Sequence, residues 1–147
     1  MKMSVTWKEN MLFDGEAMGN HVSVDAKAPL GKGQGMTPKE LLGVGMVGCT
    51  AMDVIALLKK YKQPVESFVV STEVTTSEPG KHPAVFVDSF VSFDVTGEVQ
   101  PDKLIEAVSL SQTKYCGVSA MLAKAFPIRY RVLLNGQEIA TGAAKFD

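Results

Sequence analysis

From Thr37 to Tyr61, apolar residues stand at nearly every angular position of a helix: Leu41, Leu42, Val44, Met46 and Val47, then Met52, Val54, Ile55, Leu57 and Leu58. Thr37-Pro38-Lys39-Glu40 supplies the start, with a capping hydroxyl, a proline at the first helical position and an early carboxylate. Lys59-Lys60-Tyr61-Lys62 supplies an exposed end. A helix with no polar face predicts burial on most of its surface, so the rest of the chain must cover it.

That cover reads as β structure. Ser4–Trp7, Met11–Glu16 and His21–Asp25, parted by turns at Glu9-Asn10 and Met18-Gly19-Asn20, predict an antiparallel meander. Val65–Thr76 and Ala84–Thr96, joined through Glu78-Pro79-Gly80-Lys81, predict a long hairpin, and Ile128–Leu134 with Glu138–Ala143 a second one turned by Asn135-Gly136. Between them lie a helix from Pro101 to about Lys114 and a short one from Val118 to Ala125. The order gives one α+β domain over residues 1–147, with segregated elements rather than alternating βαβ units. Gly31, Gly33 and Gly35 fall in a loop that no Gly-Lys-Ser/Thr follows, which argues against a phosphate loop.

The net charge of -1 on 147 residues gives no field to attract nucleic acid or an anionic membrane. The N-terminus has no apolar signal core, and Gly, Cys, Thr and Asp interrupt the apolar run before it could span a bilayer, so a cytoplasmic protein is expected. Two cysteines there are reduced thiols, and any bond between them is reversible.

Cys49 lies mid-helix, where a thiol is often only a small hydrophobe. Gly45 and Gly48, each costing roughly 1 kcal/mol of helix stability against alanine, predict a close approach to this face. Asp53, one turn beyond Cys49, requires a partner if buried. Cys116 sits between two helices, where a helix N-terminus favours thiolate, although a thiol can also merely fill such a corner. Two thiols suffice for attack and resolution through sulfenic acid and disulfide. Cys49, Cys116, His21 and His82 lack the ligand spacing of zinc modules, so no metal is expected, and His82 reads as a surface residue. There is no Gly-x-Ser-x-Gly elbow, and a hydrolytic or acyl-transfer thiol enzyme would have only His21 as a base.

Val5-Thr6-Trp7, the run from Thr37-Pro38-Lys39-Glu40-Leu41-Leu42 through Gly45 to Cys49, and Tyr115-Cys116-Gly117-Val118-Ser119 together resemble the OsmC/Ohr family, more closely its YhfA-like branch, over almost the full length. The resemblance implies antiparallel sheets wrapped around a buried central helix in an intertwined homodimer. It implies thiol-dependent reduction of organic hydroperoxides, in which Cys49 attacks the peroxide, Cys116 closes the disulfide, and a dithiol reductant resets the pair without a bound cofactor. Met46, Met52 and Tyr115 are the expected contacts for a bulky apolar substrate. Peroxidatic members of the family activate the thiolate with an N-terminal arginine held by a glutamate. Here the only arginines are Arg129 and Arg131, Lys39 stands at the glutamate's register and Glu40 follows it, so Lys39, Glu40 and Asp53 are the candidate supporting groups. The missing arginine favours the alternative, a redox-responsive protein that binds a small apolar ligand without efficient turnover.

Overall fold

The computed structural model describes all residues from Met1 to Asp147. In chain order the elements are β1 Met3–Glu9, β2 Leu12–Ala17, β3 Asn20–Val24, α1 Pro38–Lys60, β4 Val65–Thr76, β5 Phe86–Gly97, α2 Pro101–Leu110, a π-helical turn Ser111–Tyr115, α3 Gly117–Leu122, β6 Ile128–Leu134 and β7 Gln137–Ala143. They fall into two compact units, Met1–Val44 and Gly45–Asp147, and α1 contributes to both.

In the first unit β1, β2 and β3 form the expected antiparallel meander. The glycine-rich segment after it closes around Asp25, which is 3% exposed. The Asp25 carboxylate accepts backbone N–H bonds from Ala26, Lys32 and Gln34 at 2.8, 3.3 and 2.9 Å. These bonds, that from Gln34 foremost, hold its pKa below the ordinary value. Gly35 is required by space, because a Cβ there would lie 2.3 Å from the Ser23 carbonyl oxygen. At the head of α1, Thr37 and Glu40 cap each other: the Thr37 N–H donates to Glu40 Oε2 at 2.8 Å and the Glu40 N–H to Thr37 Oγ1 at 3.3 Å.

In the second unit the sheet order is β4-β5-β6-β7. The β4–β5 and β6–β7 pairs are antiparallel, but β5 and β6 run parallel. The α+β class with two sheets is as expected, and the one departure from the expected antiparallel sheets is this parallel β5–β6 pair. A parallel pair needs a long crossover, and α2, the π turn and α3 supply it. The strand period of two sends Val91, Phe93 and Val95 of β5, and Ile128, Val132 and Leu134 of β6, into one core with Leu104 and Val108 of α2. Phe93 meets Tyr130 edge-on at 5.9 Å between ring centroids.

α1 enters that core through Met46, Val54 and Leu58, which share one face with the buried Thr50. Burial on most of the helix surface, as its composition predicts, is not met within one chain: Leu42, Val44 and Met52 stay exposed. One sheet can cover only one side of a cylinder. The apolar run of α1 is longer than its sequence interruptions suggested, as is common in core helices. An 18-residue window of α1 has mean hydropathy 2.0, so by length and composition alone the helix could span a bilayer, despite the interruptions in its sequence.

Replacing Phe93 with alanine, at the centre of the core, is expected to lower stability by about 3–5 kcal/mol, measured as the shift in chemical denaturation.

Candidate functional site

The buried stripe of α1 runs Met46, Thr50, Val54, Leu58, and Thr50 is its one polar member. A buried hydroxyl needs partners, and the crossover provides them. Thr50 Oγ1 lies 2.7 Å from Ser111 Oγ and accepts from Gln112 Nε2 at 2.8 Å. Ser111 Oγ in turn donates to Asp53 Oδ2 at 3.0 Å. An amide nitrogen only donates and a carboxylate only accepts, so the chain has one direction: Gln112 to Thr50, Thr50 to Ser111, Ser111 to Asp53. Gln112 Nε2 also reaches Ser119 Oγ at 3.4 Å.

The π turn makes this arrangement possible. It closes with an N–H bond from Cys116 to the Ser111 carbonyl at 3.0 Å. The wider turn leaves both Ser111 and Gln112, consecutive in sequence, fully buried. It ends at Cys116, the N-cap of α3, whose Sγ accepts the Ser119 backbone N–H at 3.3 Å.

Cys49 and Asp53, one turn apart on α1, are brought to Cys116 by this packing: the two sulfurs and a carboxylate oxygen all lie within 4.8 Å of one another. Cys49 is partly exposed and Cys116 is fully buried. Burial pushes the Cys116 thiol up to about 11; the Ser119 contacts oppose the rise and Cys49 adds to it. Of the two sequence readings of Cys116, burial thus opposes the thiolate that a helix N-terminus would favour and suits the thiol that fills the interhelical corner.

The other expected residues do not gather here. Glu40 is held by Thr37 and, at 3.2 Å, by Lys27 Nζ; the Thr37 N–H foremost lowers its pKa. Lys39 is exposed. Met46 is inside the core while Met52 is on the surface, so the two do not line one wall, and Tyr115 is about half exposed beside Lys114. Nothing lies within 4 Å of a Cβ built at Gly45 or Gly48, so within one chain the close approach expected there is absent. His21 bonds to Asp14 at 3.1 Å. Arg129 pairs with Asp88, and Arg131 bonds to Ser92 Oγ at 3.1 Å and lies over the Phe90 ring. Strand alternation turns both arginines away from the core face of β6.

Thr50, Ser111 and Gln112 were not singled out from the sequence, and Ser119 entered only as the end of a motif, without a role. Ser119 had a signal, the Cys-x-x-Ser spacing after Cys116; Thr50 had the weaker one of being polar within an apolar run.

Two sheets, a long apolar helix and a close cysteine pair beside a carboxylate define a small α+β thiol protein. Comparison with known proteins narrows the class: residues 31–131 match the sequence model of the OsmC-like protein family. The chain belongs to that family. It is 34% identical over 136 residues to the protein YhfA of Escherichia coli, covering 88% of this chain and 95% of that relative. The crystal structure of a hypothetical protein from Aquifex aeolicus matches with a TM-score of 0.77 at 26% identity, over 91% of this chain and 96% of that one. An organic hydroperoxide resistance protein OsmC from Legionella pneumophila matches with a TM-score of 0.64 at 15% identity, over 90% and 95%, a likeness of fold alone.

Ser111→Ala removes the donor to Asp53 and leaves the Thr50 hydroxyl without its acceptor, at an expected cost of about 1–3 kcal/mol by denaturant titration. A pH effect follows from Cys116. Its folded-state pKa lies above the unfolded one, so between pH 9 and about 11 only the unfolded chain sheds this proton. Stability falls as pH rises through that window, and the thermal midpoint of Cys116→Ala should fall less steeply there than that of the wild type.

Proposed function

We propose that this protein is a cytoplasmic, homodimeric thiol peroxidase that reduces organic hydroperoxides. The observation that carries the reading is the pairing of a reachable thiol, Cys49, with a buried one, Cys116, beside the oriented carboxylate of Asp53. Cys49 reacts as its thiolate, having given its proton to solvent, with Asp53 one helical turn away as a supporting group. The thiolate sulfur attacks one peroxide oxygen, the O–O bond breaks, and the leaving alkoxide takes up a proton to depart as alcohol. Cys49 is then a sulfenic acid. Cys116 attacks its sulfur, the S–O bond breaks, and the hydroxide leaves as water with the Cys116 proton. An external dithiol reduces the disulfide and becomes oxidised itself. No bound cofactor enters.

Membership of the OsmC-like family supports the chemistry. The homodimer is supported by apolar surface that one chain leaves open, Trp7, Leu42 and Val44 in the first unit and Met52 in the second. A second reading, a redox-responsive protein binding a small apolar ligand, draws on the absence of any arginine from the core face.

Reduced protein mixed with tert-butyl or lipid hydroperoxide and a dithiol should consume peroxide repeatedly, faster than it consumes hydrogen peroxide, with loss of both thiols when the dithiol is withheld. Cys49→Ser should be inactive, and Cys116→Ser should stop after about one equivalent per chain, leaving a sulfenic acid that a dimedone-type probe labels. Thiols that persist under organic hydroperoxide would move the protein to the ligand-binding reading. Light scattering should give twice the mass of one chain.

A further inference from the structure

We propose that Cys49, Asp53 and Cys116 form a three-ligand site for a thiophilic divalent cation of the zinc class. The expectation of no metal weighed the cysteines against His21 and His82. His21 is engaged by Asp14 in the first unit, and the third donor beside the thiols is the carboxylate of Asp53.

The distances suit such an ion. Three atoms no more than 4.8 Å apart have a common centre about 2.8 Å or less from each, against zinc bonds of about 2.3 Å to sulfur and 2.0–2.2 Å to a carboxylate oxygen. A tetrahedral ion with such bonds sets its ligand atoms about 3.5–3.8 Å apart, so closure draws them together by at most about 1 Å, within reach of side-chain rotation. Cys49 and Asp53 rise from one helix face at the i, i+4 spacing by which a single helix offers two ligands to zinc, and Cys116 comes from a separate element. Two sulfurs with one carboxylate select zinc over magnesium or calcium, which take oxygen donors.

A second observation comes from behind the ligands. The hydroxyl of Ser111 holds Asp53 Oδ2 at 3.0 Å, and the Ser119 N–H holds the Cys116 sulfur at 3.3 Å, and both serines are fully buried. Such outer bonds orient metal ligands and fix their lone pairs. Thr50 and Gln112 back Ser111 in turn, so the carboxylate is aimed by a chain that no exposed residue interrupts. No lysine, arginine or histidine forms an ion pair with Asp53, so no fixed cation of the chain competes for the position. Three protein ligands leave a fourth position on a tetrahedral ion for water or a small ligand.

The site does not depend on the peroxidase reading, since the same sulfurs hold a cation whether or not they turn over. The two states exclude each other: a disulfide uses the lone pairs that the cation needs.

The test is titration of reduced, chelator-stripped protein with cobalt(II), then displacement by zinc. One cobalt per chain, with a near-ultraviolet sulfur-to-cobalt charge-transfer band that zinc abolishes, is expected. Cys49→Ser and Cys116→Ser should each weaken that band, Asp53→Asn should lower zinc affinity tenfold or more, and Ser111→Ala should lower it by about tenfold through the outer bond alone. Absence of the band in wild-type protein with both thiols reduced would overturn the site, without reliance on any variant. Equal zinc affinity in folded Asp53→Asn and wild type would overturn the three-ligand assignment. Peroxide consumption by the stripped protein, measured on the same samples, reads the peroxidase proposal separately.

Discussion

Thr50 places a hydroxyl where the stripe of α1 otherwise carries methionine, valine and leucine, and the site is organised by that one buried polar group. Left unpaired, it would cost about 1–3 kcal/mol, a sizeable share of the stability of a domain this size. Ser111 and Gln112 both have to turn inward to meet it. A regular helix sets consecutive residues 100° apart, whereas the wider π turn allows both to point into the core. The same turn ends at Cys116 and so fixes where the second thiol lies. The packing of one threonine and the pairing of two cysteines are therefore parts of one structural solution.

The two thiols meet different physics. Cys116 is sealed from water and holds its proton well above neutral pH. Cys49 is reachable, and Asp53 stands one turn away with one oxygen already committed to Ser111. In an arginine-based site a fixed cation would stabilise the thiolate. Here the local charge is acidic, and the arginines serve the outer sheet face, bound to Asp88, Ser92 and Phe90. The orientation of the Asp53 carboxylate rests on the hydrogen-bond chain that runs from Gln112 through Thr50 and Ser111.

The apolar excess of α1 is the second organising constraint. One sheet takes up the face of Met46, Val54 and Leu58, and the remaining apolar surface has no cover within the chain. Gly45 and Gly48 lie bare on the helix, although glycine there lowers helix stability. Apolar side chains and bare glycines on an exposed helix surface suit the close approach of a second chain.

Most of the scaffold was legible in the sequence because its signals are local. Alternation in Val91, Phe93 and Val95, the Thr37–Glu40 cap and the Asn135-Gly136 turn each depend on neighbours a few residues away. Cys49 and Cys116 stood out in the sequence as the chain's two thiols, and packing alone brought them together. Tertiary structure alone decided the parallel β5–β6 pair, the split of Met46 and Met52 between core and surface, and the chain from Gln112 through Thr50 and Ser111 to Asp53. A sequence pattern reports which face of an element is apolar, not which distant element will pack on it. Hydrogen bonds between α1 and the crossover, and the desolvation that raises the Cys116 pKa, exist only once that packing has excluded water.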